Sequence, residues 1–198
     1  MIRWGSVGPL LLTSAAIMGS PGPATISLVA ASSAYGVRRS LPYLLGIILG
    51  TTIVLIAVAA GITAALLAIP AIATVLLAIS VAYILWLAYH IATAPPLSSN
   101  VATRAPSLAG GAFLGVANPK AWVAIAAVFA SAHLAGRAAT DALAKVAVLT
   151  LMIVVINSTW LVAGTSLAPL LSDPRPARVV NASLAVALIG ATALAVLH

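Results

Sequence analysis

Hydrophobic residues fall into six long runs along the chain, separated by short segments that are rich in polar or turn-forming residues. Each run is close to or longer than the roughly 20 residues that an α-helix needs to cross a bilayer. The pattern therefore predicts an all-α protein with six membrane-spanning helices. The predicted spans are residues 7–35, 41–69, 71–93, 107–135, 142–165 and 179–197.

The first run is interrupted by the segment Gly19-Ser20-Pro21-Gly22-Pro23. Both prolines lack an amide hydrogen, so the carbonyls of Ile17 and Gly19 lose their helical donors, and each ring crowds the preceding turn. A helix cannot pass through this segment undisturbed. We expect two half-helices that meet near the middle of the membrane, with a simple proline kink as the alternative.

A second interruption, Asn118-Pro119-Lys120, lies in the fourth run. Asn118 can cap a helix and Pro119 can take its first position, so a new half-helix is predicted to begin there. Each interrupted run is followed by a glycine with arginine close behind, Gly36 in one case and Gly136 in the other. Broken helices at corresponding places in two halves of a chain indicate the binding site of a transporter.

The polar, proline-rich segment 94–106 divides the chain into residues 1–93 and residues 107–198, each with three runs. Because three is odd, the second half enters the membrane in the opposite sense to the first. We therefore expect two inverted three-helix repeats whose first helices, the first and fourth of the chain, are broken. In the second run, Gly46 and Gly50 form a small-residue surface that allows another helix to approach closely.

The composition agrees with a membrane protein, because 63% of the 198 residues are hydrophobic and only 6% are charged. A soluble domain has about 25% charged residues. The net charge of +7 is scattered and not interleaved with aromatic residues, which favours contact with anionic lipid headgroups over nucleic acid. The chain has no cysteine and no cluster of His, Asp and Glu, so we expect neither metal nor cofactor.

The distribution of basic residues predicts the orientation in the membrane. Arg3 precedes an apolar stretch, but no convincing signal-peptide cleavage site follows, so we expect the N-terminus to be kept. With six spans, one side holds more loop cations than the other, which places both termini outside the cytoplasm. The richer side holds Arg38, Arg39, Arg104, Arg175 and Arg178, and the other holds Arg3, Arg137 and Lys145.

The amides at the starts of the two inner half-helices, Ala24 with Thr25 and Lys120 with Ala121, are expected to be free and to favour a carboxylate. A lysine near the bilayer centre costs at least about 2.5 kcal/mol on insertion scales, so Lys120 is a candidate substrate ligand. The alternatives are that its side chain reaches the interface or bonds the free carbonyls around Gly115.

Asn157 lies inside the fifth run and needs a polar partner there, which is either another helix or the substrate. The two acids, Asp141 and Asp173, stand at the ends of runs, so we expect no buried carboxylate that could pair with a basic substrate. Neutral amino acids are therefore favoured over lysine or arginine. Their α-ammonium could bind free carbonyls near Ile17 and Gly115.

Four stretches, given at the end of this paragraph, occur in the same order as in the LysE/RhtB family of bacterial amino-acid exporters. Through them the sequence resembles that family along nearly the whole chain. The resemblance implies a multi-pass exporter of amino acids or similar small metabolites in the plasma (inner) membrane. Where the family often has a glycine after the second stretch, this chain has Ala88. The stretches are Ser20-Pro21-Gly22-Pro23 continuing to Gly46 and Gly50, Tyr83-Ile84-Leu85-Trp86-Leu87, Phe113-Leu114-Gly115-Val116-Ala117-Asn118-Pro119-Lys120-Ala121, and Arg178-Val179-Val180-Asn181 leading to Gly190.

We therefore expect a secondary transporter and not an enzyme, with an amino acid and membrane lipids as partners and a homo-oligomer as an open possibility. A Ser20–Lys120 dyad has no support beyond shared depth. A channel or a structural membrane subunit is the alternative. The predicted substrate-binding residues are Ser20, Pro21, Gly22, Pro23, Thr25, Asn118, Pro119, Lys120 and Asn157.

Overall fold

A computed structural model describes residues 2–61, 70–93, 105–171 and 174–197, and this part of the chain is helical. The prediction of an all-α protein is confirmed. Two 3₁₀ segments, Trp4–Ser6 and Gly164–Leu171, accompany the α-helices. The α-helices are α1 (Val7–Met18), α2 (Pro23–Tyr35), α3 (Val37–Ala59), α4 (Pro70–Ala92), α5 (Leu108–Ala117), α6 (Pro119–Ala130), α7 (Ala138–Ala163) and α8 (Pro174–Leu197).

Within the described residues, two helices are long and apolar enough to cross a membrane: α3, and α7 with its extension to Ser166. The pair α5 and α6, bent by 59° at the break between them, would be a third span if it crosses as one unit. The arrangement of six spans as two inverted repeats stays a prediction. The end of the second predicted span (62–69), most of the inter-repeat segment (94–104) and Asp173 lie outside the described residues.

Both predicted interruptions are present in the structure. Helix α1 ends at Met18 and α2 begins at Pro23, while α5 ends at Ala117 and α6 begins at Pro119. Each inner half-helix thus has proline at its first position, where the missing amide hydrogen costs no intrahelical bond. The chain is broken, and not merely kinked, at these two places.

Three helices begin four or five residues earlier than the hydrophobic pattern predicts, and this bears on the charge count. Helix α3 begins at Val37, so Arg38 and Arg39 stand in its first turn. Helix α7 begins at Ala138, so Lys145 lies inside it, buried and paired with Asp141, and is not a loop cation. Helix α8 begins at Pro174, so Arg175 and Arg178 stand in its first turns. Assigning Lys145 to a connection was wrong, because its charge is neutralised within the helix. Without Lys145, the side with Arg38, Arg39, Arg104, Arg175 and Arg178 still has more cations than the side with Arg3 and Arg137. The predicted orientation, with both termini outside the cytoplasm, is therefore unchanged.

Helix α2 lies at the centre of the bundle and is buried along most of its length. It contacts α3, α7, α8 and the 3₁₀ segment Gly164–Leu171. Its serine hydroxyls are satisfied within the helix: Ser27 donates to the Ala24 carbonyl at 2.8 Å and Ser33 donates to the Val29 carbonyl at 2.6 Å. Small residues with internal hydrogen bonds let this helix sit among neighbours without unpaired polar groups.

The most extensive helix–helix contact in the described part joins α3 to α5 through glycines on both helices. Gly46 and Gly50 of α3 face Gly111 and Gly115 of α5. A Cβ added at any of the four would overlap backbone atoms of the opposite helix. The close approach predicted from Gly46 and Gly50 is confirmed, and its partner is the outer half of the second broken helix.

Replacing Gly115 by valine should destabilise this contact, because a Cβ there would meet the backbone of Ile47, Gly50 and Thr51. We expect a loss of about 1–3 kcal/mol or more from overpacking. The matched control is Gly190→Val on α8, where an added Cβ meets nothing within 4 Å. Melting temperatures of the purified proteins in detergent would measure the difference. Equal melting temperatures for the two variants would show that the glycine contact is not tightly packed.

Candidate substrate-binding site

A cavity of about 50 Å³ lies where the two breaks meet, between α1, α2, α3, α6 and α7. It combines polar groups from both breaks with apolar side chains from the helices around them. Such a mixture is typical of small-molecule sites, in which a few polar groups fix the orientation of the ligand. Its polar lining residues are Thr25, Thr51, Asn118, Lys120 and Asn157.

The first break is held by short-range hydrogen bonds. The Ser20 hydroxyl donates to the Ile17 carbonyl at 2.8 Å. The Thr25 hydroxyl accepts from the Gly22 amide at 2.9 Å and donates to the Gly22 carbonyl at 3.1 Å, which caps the start of α2. A Cβ added at Gly22 would meet the Lys120 side chain, so the glycine leaves room for that lysine.

The second break is capped as the sequence predicts. The Asn118 side chain, which is buried, accepts from the Lys120 amide at 3.2 Å, and the Asn118 carbonyl accepts from the Ala121 amide at 3.0 Å. The indole of Trp122 donates to the Val116 carbonyl at 2.7 Å and satisfies the end of α5. An asparagine cap of this kind contributes about 1 kcal/mol.

The Lys120 ammonium connects the two breaks. It donates to the Pro21 carbonyl at 3.1 Å and also to the carbonyl of Ser20, so a side chain from the second break satisfies backbone groups of the first. Of the alternatives drawn from the sequence, bonding to free carbonyls is the one observed. The carbonyls are those at Ser20 and Pro21, and not those around Gly115.

The predicted free backbone groups are mostly occupied. The amides of Lys120 and Ala121 bond to Asn118, so the expectation that they are free was wrong. The Ile17 carbonyl accepts from Ser20, and the Gly19 carbonyl accepts from the Trp160 indole at 3.1 Å. Sequence reasoning missed the two indoles. For Trp122 the available signal was an indole N–H donor a few residues after the carbonyl that the second break frees. No local signal indicated Trp160, which is far from Gly19 in the sequence.

Asn157 lies in the wall of the cavity and is 6% exposed. Its amide nitrogen donates to the Ile153 carbonyl of its own helix at 2.7 Å. This bond matches neither of the partners considered from the sequence, another helix or a substrate. Asn157 lines the cavity, and its role in substrate binding stays a prediction.

Asp141 is buried at the start of α7, which the sequence did not indicate, but this carboxylate is not available to pair with a basic substrate. It pairs with Lys145 at 2.8 Å and accepts hydrogen bonds from the amides of Leu134 and Ala135. Asp141 does not line the cavity. Its hydrogen bonds to the Leu134 and Ala135 amides fix the loop before α7. Within the described residues, no three His, Asp or Glu side chains gather as metal ligands would.

The sequence matches the profile of the LysE type translocator family over residues 15–198, which includes both breaks and the cavity. The chain belongs to this family. The family is one of translocators and not of enzymes, so the prediction of a non-enzymatic protein is confirmed.

Curated relatives match a shorter part of the chain. This chain is 43% identical over 82 residues to the cysteine/O-acetylserine efflux proteins of Salmonella choleraesuis and Salmonella typhimurium. The protein of the same name from Salmonella paratyphi A is 42% identical over 83 residues. Each match covers 41% of this chain and 42% of the relative's length. No solved structure matches the chain.

Replacing Lys145 by methionine should destabilise the protein, because it leaves the buried Asp141 carboxylate without its cation. The expected loss is about 3–5 kcal/mol. The double variant Asp141→Asn, Lys145→Met should recover much of it, since the asparagine still accepts from the Leu134 and Ala135 amides. Thermal unfolding in detergent would measure both.

The control for this pair is Arg137→Met, which removes an exposed cation next to the same helix start and should change stability little. A Lys145→Met protein that is more stable than the double variant would contradict a dominant role for the ion pair.

Proposed function

We propose that this protein is a secondary transporter of the plasma membrane that exports small amino acids. The observation that carries the proposal is the Lys120 ammonium, which reaches from one helix break to the carbonyls of the other and lines the cavity. Discontinuous helices at corresponding positions form substrate sites in transporters built from inverted repeats. The two breaks, each with proline at the first helical position, support six spans in two such repeats.

The cavity suits the two charged ends of an amino acid. Lys120 supplies a cation for the carboxylate, and the Ser20 and Pro21 carbonyls that it now contacts can accept an α-ammonium. A substrate would thus enter between the lysine and the two carbonyls and replace one set of hydrogen bonds with another. Thr25, next to the first break, adds a hydroxyl on the same wall.

We further propose that neutral amino acids are preferred over basic ones. The cavity has no carboxylate among the residues that line it, and the buried Asp141 already pairs with Lys145. A lysine or arginine side chain would therefore lose its hydration without gaining a counter-ion. The relatives are named for cysteine and O-acetylserine, which carry no cationic side chain.

A channel is the alternative function. A pore conducts along a continuous wet path. Here Lys120 lines the cavity and bridges the two breaks. This arrangement favours a carrier, in which the site opens to one side at a time. Saturation of flux with rising substrate concentration separates the two functions.

Replacing Lys120 by methionine should greatly reduce exchange of neutral amino acids, because the carboxylate loses a charge-assisted hydrogen bond. A bond of that kind is worth about 1.5–3 kcal/mol, or roughly 10–100-fold in affinity. The assay is counterflow in proteoliposomes loaded separately with a neutral or a basic amino acid. Arg137→Met, which removes an exposed cation outside the cavity, is the matched control and should exchange normally.

Two results would overturn this proposal. One is normal exchange by a well-inserted Lys120→Met protein. The other is saturable exchange of lysine or arginine by the unmodified protein with none of the neutral amino acids.

A further inference from the structure

The cavity wall includes an apolar face formed by two helices. Helix α6 contributes Ala121, Ala124 and Ile125 to this face, and helix α7 contributes Ile153 and Ile156. We propose that this face is the subsite for the substrate's side chain, and that Ala124 and Ile156 set its size. The inference rests on the proposed function, since it assumes that an amino acid occupies the cavity.

Ala124 and Ile156 differ from the other apolar lining residues in what they pack against. Ala121, Ile125 and Ile153 belong to a buried hydrophobic cluster that includes α3 and α7 side chains. Ala124 and Ile156 are also buried, at 5% and 8% exposure, yet they belong to neither hydrophobic cluster of the described residues. Both side chains line the cavity, are shielded from solvent, and stand outside the two main hydrophobic clusters.

The spacing along the helices places these two residues next to the charged end of the site. Ala124 follows Lys120 by one helical turn, so it lies about 6 Å further along the axis on the same face. Ile156 precedes Asn157 and stands one turn beyond Ile153. An amino acid held by its carboxylate at Lys120 would direct its side chain between these helices.

The residue types select a short, uncharged side chain. Alanine at position 124 leaves space that a larger residue would fill, and the larger isoleucine at position 156 takes up space on the α7 side. Because both residues line the cavity, their sizes limit the substrate side chain that fits beside them. One methylene group in an apolar pocket changes selectivity by roughly tenfold or more.

The test is counterflow in proteoliposomes with alanine, 2-aminobutyrate, valine and leucine as competing substrates. In the Ala124→Val variant, preference should shift toward alanine by about tenfold, because the subsite is smaller. In Ile156→Ala, it should shift toward leucine by a similar factor. The matched control is Leu151→Ala on the same helix, which shortens a side chain that is 62% exposed and should leave the preference unchanged.

If Ile156→Ala does not fold, Ile156→Val tests the same wall with the loss of one methyl group and should shift preference in the same direction. Wild-type preference in the well-inserted Ala124 and Ile156 variants would overturn the subsite while leaving the proposed function intact. No exchange of any of the four substrates by the unmodified protein would overturn the proposed function itself, and the subsite with it.

Discussion

The structure depends on which groups form hydrogen bonds with the backbone carbonyls that are freed where a membrane helix is broken. Inside a bilayer no water replaces a lost hydrogen bond, and an unpaired carbonyl costs several kcal/mol. At the first break the donors come from Ser20, Trp160 and Lys120, and at the second break from Trp122. Three of these four donors are side chains from another segment or the far side of the break. The prolines interrupt the helices, and at the first break the tertiary structure supplies two of the donors that satisfy the freed carbonyls.

This constraint also bears on the transport role that we propose for the site. Most partners at the breaks are fixed parts of a helix, such as the Trp160 indole on the Gly19 carbonyl. Lys120 is different, because its ammonium stands on a flexible stem and lies beside the cavity. In the proposed function, the Lys120 ammonium exchanges the Ser20 and Pro21 carbonyls for a substrate carboxylate. Substrate binding would then change a contact that joins the two halves of the chain. The glycine contact between α3 and α5 holds those halves together elsewhere.

Local chemistry could be predicted from the sequence, and tertiary partners could not. The prolines at positions 23 and 119 located both breaks, and Asn118 was recognised as a cap, because these effects act within a few residues. The bond from Lys120 to the first break joins residues about a hundred positions apart, and no local pattern encodes it. Asp141 was placed at the end of a predicted run, and nothing in the local sequence indicated its burial. The early start of α7 buries it beside Lys145.

The central claim is that Lys120 holds a substrate carboxylate at the joined breaks. The most direct test is equilibrium binding of radiolabelled valine to the purified protein, with unlabelled valine or isobutylamine, its decarboxylated analogue, as competitor. The account predicts saturable binding that valine displaces and isobutylamine does not, and weak binding to the Lys120→Met variant. Equal displacement by the amine, together with undiminished binding to Lys120→Met, would contradict it.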